Sequence, residues 1–501
     1  MKFIEFGYGA SKDDNPLKAG AHATSDALKN LSKSSMPNVV FLFSHPDYNP
    51  EEVLNGVNLI LGEKTTIVGG SSKYGIINNN LCENSVFVGI LASKYFNVGA
   101  GVGLGISMNP RDAGKKAASA AMDDLGMMPK LMMVFMDYCK FEEEVLNGIV
   151  DVLGITTPIF GGTTSDDFKF KETYQYCNDA YFDSVVCVAI GGDIIPKISY
   201  SSSRSLMDHT KNNENTEYMS SDGNNKKGDI TEGKQQTINY NDNKTIITDA
   251  NKRYIYSLNY INSLKYYKNI LNYEGSNTEL QKDRAYYLSH PFGLVDSNGN
   301  IHIKGPISIK NDILICGSNV MKGNELKLVD INDETIKKLF DDAISSTVNT
   351  PPKYTKHISP LTFCLTSLFL TEISKTTIKE CLKEYTSNPL FGFTPYGEAI
   401  FSKYMNYTVS MCSIVPDLIS ISAKEGIHMI TKYPATKETM LKIDTMGGAV
   451  KIEELAKELG IHRRTAYDRV EPLLQCGFAE KDRATVKITE FGKLFLKFWF
   501  K

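Results

Sequence analysis

A block of this chain occurs twice: Glu51-Glu52-Val53-Leu54-Asn55-Gly56 returns as Glu143-Glu144-Val145-Leu146-Asn147-Gly148, 92 residues on. At the same interval Gly69-Gly70-Ser71-Ser72 returns as Gly161-Gly162-Thr163-Thr164. Laying 38–72 over 130–164 without a gap gives 13 identities in 35 positions, where unrelated sequence gives about two. Such a repeat requires a supersecondary unit that folds twice and packs against its own copy. In the first copy Val39 to Phe43 is a continuous apolar run, as in a strand buried on both faces, and 50–62 carries apolar residues at helical spacing. Thr65 to Val68 reads as a second strand ended by Gly69-Gly70, and Ser85 to Ile90 matches Ser184 to Ala189 as a third. Upstream, Asn15-Pro16 and Asn109-Pro110 each open an Ala-rich helix, with Asn as cap and Pro at the first helical position. The pattern predicts an internally duplicated mixed α/β domain with pseudo-two-fold symmetry, a second α/β part and a small C-terminal module.

With 501 residues, a prior of about 150 per domain suggests about three domains. The expected division is a duplicated α/β domain over 1–205, a disordered polar insertion over 206–246, an α/β domain over 247–415, a linker helix over 416–445 and a module over 446–501. The insertion is expected because its polar run has too few apolar groups to offset ordering entropy. Nine cysteines without a Cys-x-x-Cys pair, and eight histidines without metal-ligand spacing, predict reduced core thiols, no metal and no cofactor. No signal-like N-terminus and no membrane-length apolar run are present, so a cytoplasmic protein is expected.

At the strand ends, Gly69-Gly70-Ser71-Ser72 and Gly161-Gly162-Thr163-Thr164 put flexible backbone beside hydroxyls, a pattern that suits a cradle for a carboxylate or phosphate. The alternative is that the paired glycines only let each strand turn tightly against its symmetry mate. Asn388-Pro389-Leu390-Phe391-Gly392-Phe393-Thr394 reads as a third, degraded echo of Thr157 to Thr163. Following it, Phe393, Thr394, Gly397 and Glu398 are further ligand candidates, although a loop Glu commonly faces solvent. The run Gly99-Ala100-Gly101-Val102-Gly103-Leu104-Gly105 contains no G-x-G-x-x-G, which rejects a dinucleotide fingerprint and predicts a strand closely approached by another backbone. No nucleophile–base set is visible, so catalysis has no positive support.

Over the last 56 residues an amphipathic helix ends at Gly460, and a second carries Ala466, Val470, Leu473 and Leu474 inward with Arg463, Arg464, Thr465 and Arg469 outward. Gly477 to Ile488 reads as a two-stranded wing carrying Lys481 and Arg483. The pattern predicts a winged helix-turn-helix binding double-stranded DNA through Arg463, Arg464, Thr465, Tyr467, Arg469, Lys481 and Arg483. This piece holds 11 basic against 8 acidic residues while the whole chain has net charge −3. So modest a charge suits a homodimer better than a tight monomeric binder.

The repeated block, with Gly69-Gly70-Ser71-Ser72-Lys73-Tyr74-Gly75 leading to Ser85–Ile90, resembles the FIST sensory domain family. Phe391-Gly392-Phe393-Thr394-Pro395-Tyr396-Gly397-Glu398 is similar to that family's C-terminal Gly-Phe-x-x-x-Gly-Glu turn. The resemblance implies a sensor for a small ligand, an amino acid or small carboxylate, coupled to an output domain: a one-component transcriptional regulator. Departures are Asn406-Tyr407-Thr408 for the family's Asn-His-Thr, Lys304 in place of an arginine, and Ser367 where an arginine would follow Cys364. Losing two guanidinium groups removes bidentate carboxylate recognition. An enzyme working at the glycine turns, and a scaffold whose winged helix binds protein, stand as alternatives.

Overall fold

The computed structural model describes residues 3–32, 36–62, 65–138, 141–202, 244–295, 301–303, 305–348, 361–385 and 389–499. The polar insertion expected over 206–246 lies outside the described residues up to 243, as do Cys139, Lys304 and Asn388.

The first unit runs β1 (Glu5–Ser11), α1 (Pro16–Lys29), β2 (Val39–Ser44), α2 (Pro50–Leu61), β3 (Thr66–Ser71), the hairpin β4 (Tyr74–Ile77) and β5 (Asn80–Glu83), then β6 (Val86–Ala92). The second repeats it as β7 (Phe96–Leu104), α3 (Pro110–Leu125), β8 (Leu131–Met136), α4 (Glu142–Leu153), β9 (Ile159–Thr163), β10 (Tyr174–Cys177), β11 (Ala180–Phe182) and β12 (Ser184–Gly192). A third opens with β13 (Ile194–Ser202) and is then interrupted by an inserted subdomain. That subdomain comprises β14 (Thr245–Asn251), β15 (Tyr254–Leu258), β16 (Ile261–Asn262), α5 (Ser263–Ile270), α6 (Asn277–Lys282), α7 (Arg284–Ser289), β17 (Phe292–Val295), β18 (Ile301–Ile303), β19 (Pro306–Lys310), β20 (Ile313–Cys316) and β21 (Glu325–Leu328). The third unit resumes as α8 (Asp333–Val348), β22 (Leu361–Thr366), α9 (Leu368–Ile373), α10 (Lys375–Glu384), β23 (Leu390–Phe393), the hairpin β24 (Glu398–Ile400) and β25 (Lys403–Met405), and β26 (Thr408–Pro416).

The expected pseudo-two-fold is therefore part of a pseudo-three-fold. Its three sheets have the same plan, β1-β6-β2-β3-β10-β11, β7-β12-β8-β9-β24-β25 and β13-β26-β22-β23-β4-β5. In each, the last two strands are a hairpin lent by another unit: β10–β11 joins the first sheet, β24–β25 the second and β4–β5 the third. This cyclic exchange locks the units together. It also places β13 with β26, over Ile194↔Pro416 to Ser202↔Thr408, across the domain boundary expected at 205. The third echo read at 388–394 marks the turn of this third unit, of which residues 389–394 are described, while the unit's first strand is separated from the rest by the insertion.

The sheets face inward on one core, where Phe43, Phe135 and Phe393, one from each unit, meet with ring centroids 4.6 to 5.8 Å apart. Helix pairs cover the outside. Asn15 caps α1 by accepting from the Lys18 N–H at 2.9 Å, whereas Asn109 precedes Pro110 without a side-chain cap. The glycine run of β7 behaves as its pattern implied: a Cβ at Gly101 or Gly103 would lie 2.4 or 2.0 Å from the carbonyl oxygens of Ala117 or Ala113 on α3. Alanines on the helix and glycines on the strand let the two backbones touch.

The segment expected as a linker helix over 416–445 is two helices, α11 (Leu418–Lys432) and α12 (Ala435–Thr445). Their Ile421, Met429, Met440 and Ile443 share a core with Leu455, Val470, Phe478 and Phe495, so the C-terminal module begins near residue 418. It continues with β27 (Ala449–Lys451), α13 (Ile452–Glu458), α14 (Arg463–Gln475), the hairpin β28 (Ala479–Asp482) and β29 (Thr485–Ile488), and α15 (Glu490–Trp499). Strand β27 was not foreseen; it completes a three-stranded sheet in the order β27-β29-β28. Of the residues expected inward on α14, Ala466, Val470 and Leu473 are buried and Leu474 only partly. The module is fixed to the body at the junctions between units: Lys424 Nζ lies 2.7 Å from both Asp193 oxygens, Lys94 pairs with Glu425 at 2.7 Å, and the Phe3 and Phe491 rings stand 5.1 Å apart. Among the described residues no helix is long and apolar enough to cross a membrane, and no described cysteine is in a disulfide.

Candidate functional site

The glycine turns converge on the pseudo-three-fold axis. Gly69, Gly161 and Gly392 occupy equivalent places, each where a Cβ would lie 1.8 to 1.9 Å from the carbonyl oxygen of Leu42, Val134 or Cys364 on the neighbouring strand. Gly69 and Gly161 also have φ of 143° and 157°, which L side chains rarely adopt. The bare N–H groups expected to face a ligand are instead paired: Ser72, Thr163 and Thr164 donate to Ser44 O, Gly397 O and Met136 O, each at 2.9 Å. The hydroxyls are engaged too. Ser165 Oγ donates to Thr394 O at 3.1 Å and accepts from the Lys73 N–H at 3.2 Å, while Ser72 Oγ and Thr394 Oγ1 lie 3.4 Å apart. All these groups are buried except Lys73, which is part-exposed. Thus Gly69, Gly70, Ser71, Ser72, Gly161, Gly162, Thr163, Thr164 and Thr394 form a sealed knot. The exchanged hairpins fill the space an open cradle would need. Phe393, equivalent to Gly70 and Gly162, is a core aromatic stacked on Phe43 at 4.6 Å rather than a group facing a ligand.

Around the knot the three units place one polar layer, with different residues in each. The N–H groups of His45, Asp137 and Ser367 donate to Ser85 O, Ser184 O and Thr408 O at 3.0 to 3.1 Å, which fixes the equivalence. From the exchanged hairpins, Gly75, Gln175 and Glu398 pair opposite Phe393, Gly70 and Gly162. The second unit is satisfied: the Gln175 amide reaches Thr164 Oγ1 at 2.7 Å and Ser184 Oγ at 2.5 Å, and Asp137 accepts from Thr173 Oγ1. Burial pushes the Asp137 carboxyl up to about 6. In the third unit Glu398, a ligand candidate whose alternative was a solvent-facing turn residue, opens β24 and is fully buried. Burial pushes its carboxyl up to about 8, against the weaker opposing effect of the Ser410 and Thr408 hydroxyls and the Ser367 backbone.

At the rim of the knot the loop after β9 holds Asp167, Phe168 and Phe170 at φ of 49 to 59°, strained for bulky residues. Asp166 pins it by accepting from the N–H groups of Phe170 and Lys171 at 2.9 and 2.7 Å and from Tyr396 OH at 2.5 Å. The loop presents Asp167 to Lys73 at 2.7 Å, and Lys73 also meets Glu372 at 3.3 Å. Arg284, on α7 of the inserted subdomain, stacks over Phe168 at 4.3 Å. Lys73, Asp166, Asp167, Arg284 and Glu372 were not singled out in the sequence, because the three-fold closure brings 73, 166 and 372 together and the inserted subdomain adds 284. Deeper, Arg253 carries the insertion onto the second unit: its guanidinium lies 2.7 and 3.0 Å from the Glu142 oxygens and 4.4 Å from the Tyr138 ring centre.

Residues 38–260 match the family model of the FIST N domain. The matched stretch runs from β2 through the second unit and β13 to the first strands of the insertion, so the match covers the repeated block and the rim loop but stops short of the third unit's return. No curated protein matches the chain. A solved structure titled as cyanuric acid hydrolase from A. caulinodans is similar at 10% identity over 38% of this chain and 71% of that one, with a TM-score of 0.24. So low a score carries no argument about this chain.

At the opposite end of the strands from the knot, the C-terminal module exposes Arg463, Arg464 and Thr465 on the first turn of α14. Lys481 Nζ from the hairpin lies 4.4 Å from the Tyr467 ring centre and the Arg463 guanidinium 5.9 Å, so Tyr467 joins helix and hairpin into one basic surface. Arg483 sits at the hairpin tip with φ of 52°. Two of these cations already have partners, Arg463 with Glu453 at 2.9 Å and Arg469 with Glu438 at 3.1 Å.

Proposed function

We propose that the chain is a small-ligand sensor without a catalytic step, coupled to a C-terminal winged helix that binds double-stranded DNA as a homodimer in the cytoplasm. The observation that carries the output half is the joint surface of Arg463, Arg464, Tyr467 and Lys481. A second helix and a β-hairpin present cations side by side there, as the arrangement of helix-turn-helix readers requires. The FIST N match supports the sensing half. Because the turns are sealed, the ligand's place in this reading is the rim, where Lys73 and Arg284 flank Phe168 and would receive a small carboxylate or the carboxylate of an amino acid. Coupling runs along the strands to the unit junctions, where Asp193 and Lys94 hold α11 through Lys424 and Glu425. The ligand shifts DNA affinity only by its differential affinity for two orientations of that helix.

The test uses the full chain. Fluorescence anisotropy with fragments of the gene's own upstream region should show binding that weakens steeply as salt rises, and R463A/R464A should lower affinity at least about tenfold with a shallower salt slope. Binding unchanged by that double substitution sinks the DNA reading. A thermal-shift screen with amino acids and small carboxylates tests the ligand half: a ligand at 100 times its Kd adds about 2.7 kcal/mol, and the gain should vanish in Arg284→Ala.

A further inference from the structure

The third unit breaks the pseudo-symmetry in one place. Both oxygens of Glu398 and the hydroxyls of Ser367, Thr408 and Ser410 are buried without a partner at hydrogen-bond geometry. These atoms come from three elements, the lent hairpin, β26 and the residue before α9, and each residue is fully buried. The molecule supplies its own comparison. At the equivalent place in the second unit Gln175 and its hydroxyl neighbours satisfy one another, and in the first unit Gly75 has no side chain and a Cβ there would lie 2.7 Å from the Phe87 ring. Among the described residues only the third unit gathers a carboxyl and three hydroxyls that neighbour one another without reaching hydrogen-bond geometry, although Ser410, Thr408 and the Ser367 backbone lie near enough to favour the ionised carboxyl weakly. Natural proteins leave such groups unpaired rarely, because each costs about 1–3 kcal/mol.

We propose that Glu398, Ser367, Thr408 and Ser410 bind one monovalent cation, an alkali ion or ammonium, inside the third unit. The donors are all hard oxygens, the set such ions take. The charge count selects the class: one carboxylate balances a single positive charge, whereas a divalent ion would leave a net charge in a dry interior. The titratable group beside the carboxyl is the Cys364 thiol on β22, which burial pushes up to about 12, so it stays neutral and offers no thiolate to a softer metal. All four residues are fully buried, which sets this place apart from the part-exposed rim proposed for the small ligand. The two stand or fall separately.

Binding to an ionised carboxyl requires loss of its proton, so cation and proton compete. Thermal melting of the full chain in choline chloride, sodium chloride, potassium chloride and ammonium chloride at equal ionic strength is the direct test. At least one of the three small cations should raise Tm over choline with saturation, by more at pH 8.5 than at pH 5.5, and Glu398→Gln should abolish the difference. Below the pH at which Glu398 ionises, apparent affinity should rise about tenfold per pH unit, one proton leaving per cation bound. Equal Tm in all four salts overturns the proposal, as does a cation response that is the same at both pH values or that survives in E398Q. Should E398Q not fold, the pH dependence of the wild-type response decides alone.

Discussion

Gly161→Ala should destabilise the body by about 4 kcal/mol or more, and Gly69→Ala by a similar amount, placing both among the most damaging single substitutions the chain can suffer. Two costs add at each. With φ of 157° and 143° the backbone occupies a region that an L side chain rarely adopts, and the new Cβ would stand 1.9 Å from Val134 O or Leu42 O. The carbonyl cannot retreat, because β8 and β9, like β2 and β3, are parallel neighbours in register along their whole length. Gly154 is the internal control: its φ of 70° is left-handed, but nothing lies within 4 Å of an added Cβ. Gly154→Ala should therefore cost only about 1–2 kcal/mol, the backbone penalty alone. Circular dichroism melts of the three variants make the comparison. The lone Trp499 lies in the C-terminal module, so its fluorescence should hold its own transition while that of the body falls. Equal losses for Gly161→Ala and Gly154→Ala would refute close approach as the reason these glycines are there.

The same glycines show what was legible in the sequence. Their pairing with hydroxyls 92 residues apart marked the repeat, and the alternative that they only let strands turn tightly is the one their geometry fits. Sequence periodicity also placed the buried strands, the Asn-Pro helix starts and the glycine-rich β7, since each depends on local spacing. It missed the three-fold plan because the exchanged hairpins pair with strands from another unit, a relation no local pattern records. Phe393 illustrates the difficulty: it stands where the first two units have glycine, so the third copy of the turn reads as a degraded echo although its backbone follows the same path. The rim was illegible for the same reason, as Lys73 and Glu372 are 299 residues apart. At the C-terminus the sequence reads as one linker helix over 416–445, whereas Leu418, Ile421 and Met429 of α11 and Met440 and Ile443 of α12 belong to the module's core. Their burial comes from α14 and α15, which fold back on them.

The largest pH effect should come from Glu398. Its carboxyl keeps its proton in the folded chain up to about 8, while in the unfolded chain it ionises near the ordinary value of 4.5. Between those values the folded state holds a proton that the unfolded state has released, so stability is full below about 4.5 and declines as pH rises toward about 8. At about 1.4 kcal/mol per pH unit, the decline amounts to on the order of 5 kcal/mol in a medium without small cations. Asp137, held up to about 6, contributes a smaller loss of the same sign over a lower range. Glu398→Gln removes the larger contribution and leaves Asp137 and every surface carboxylate in place, so subtracting one profile from the other isolates this residue. In choline chloride the variant should match or slightly trail wild type at pH 4.5, and then gain on it steadily until about pH 8, where the gap levels off. The amide belongs at such a place, since Gln175 occupies the equivalent position in the second unit with its hydrogen bonds made to Thr164 and Ser184. A gap that stays constant from pH 4.5 to 8 would mean that Glu398 titrates alike in both states, and that its carboxyl is not sealed from water.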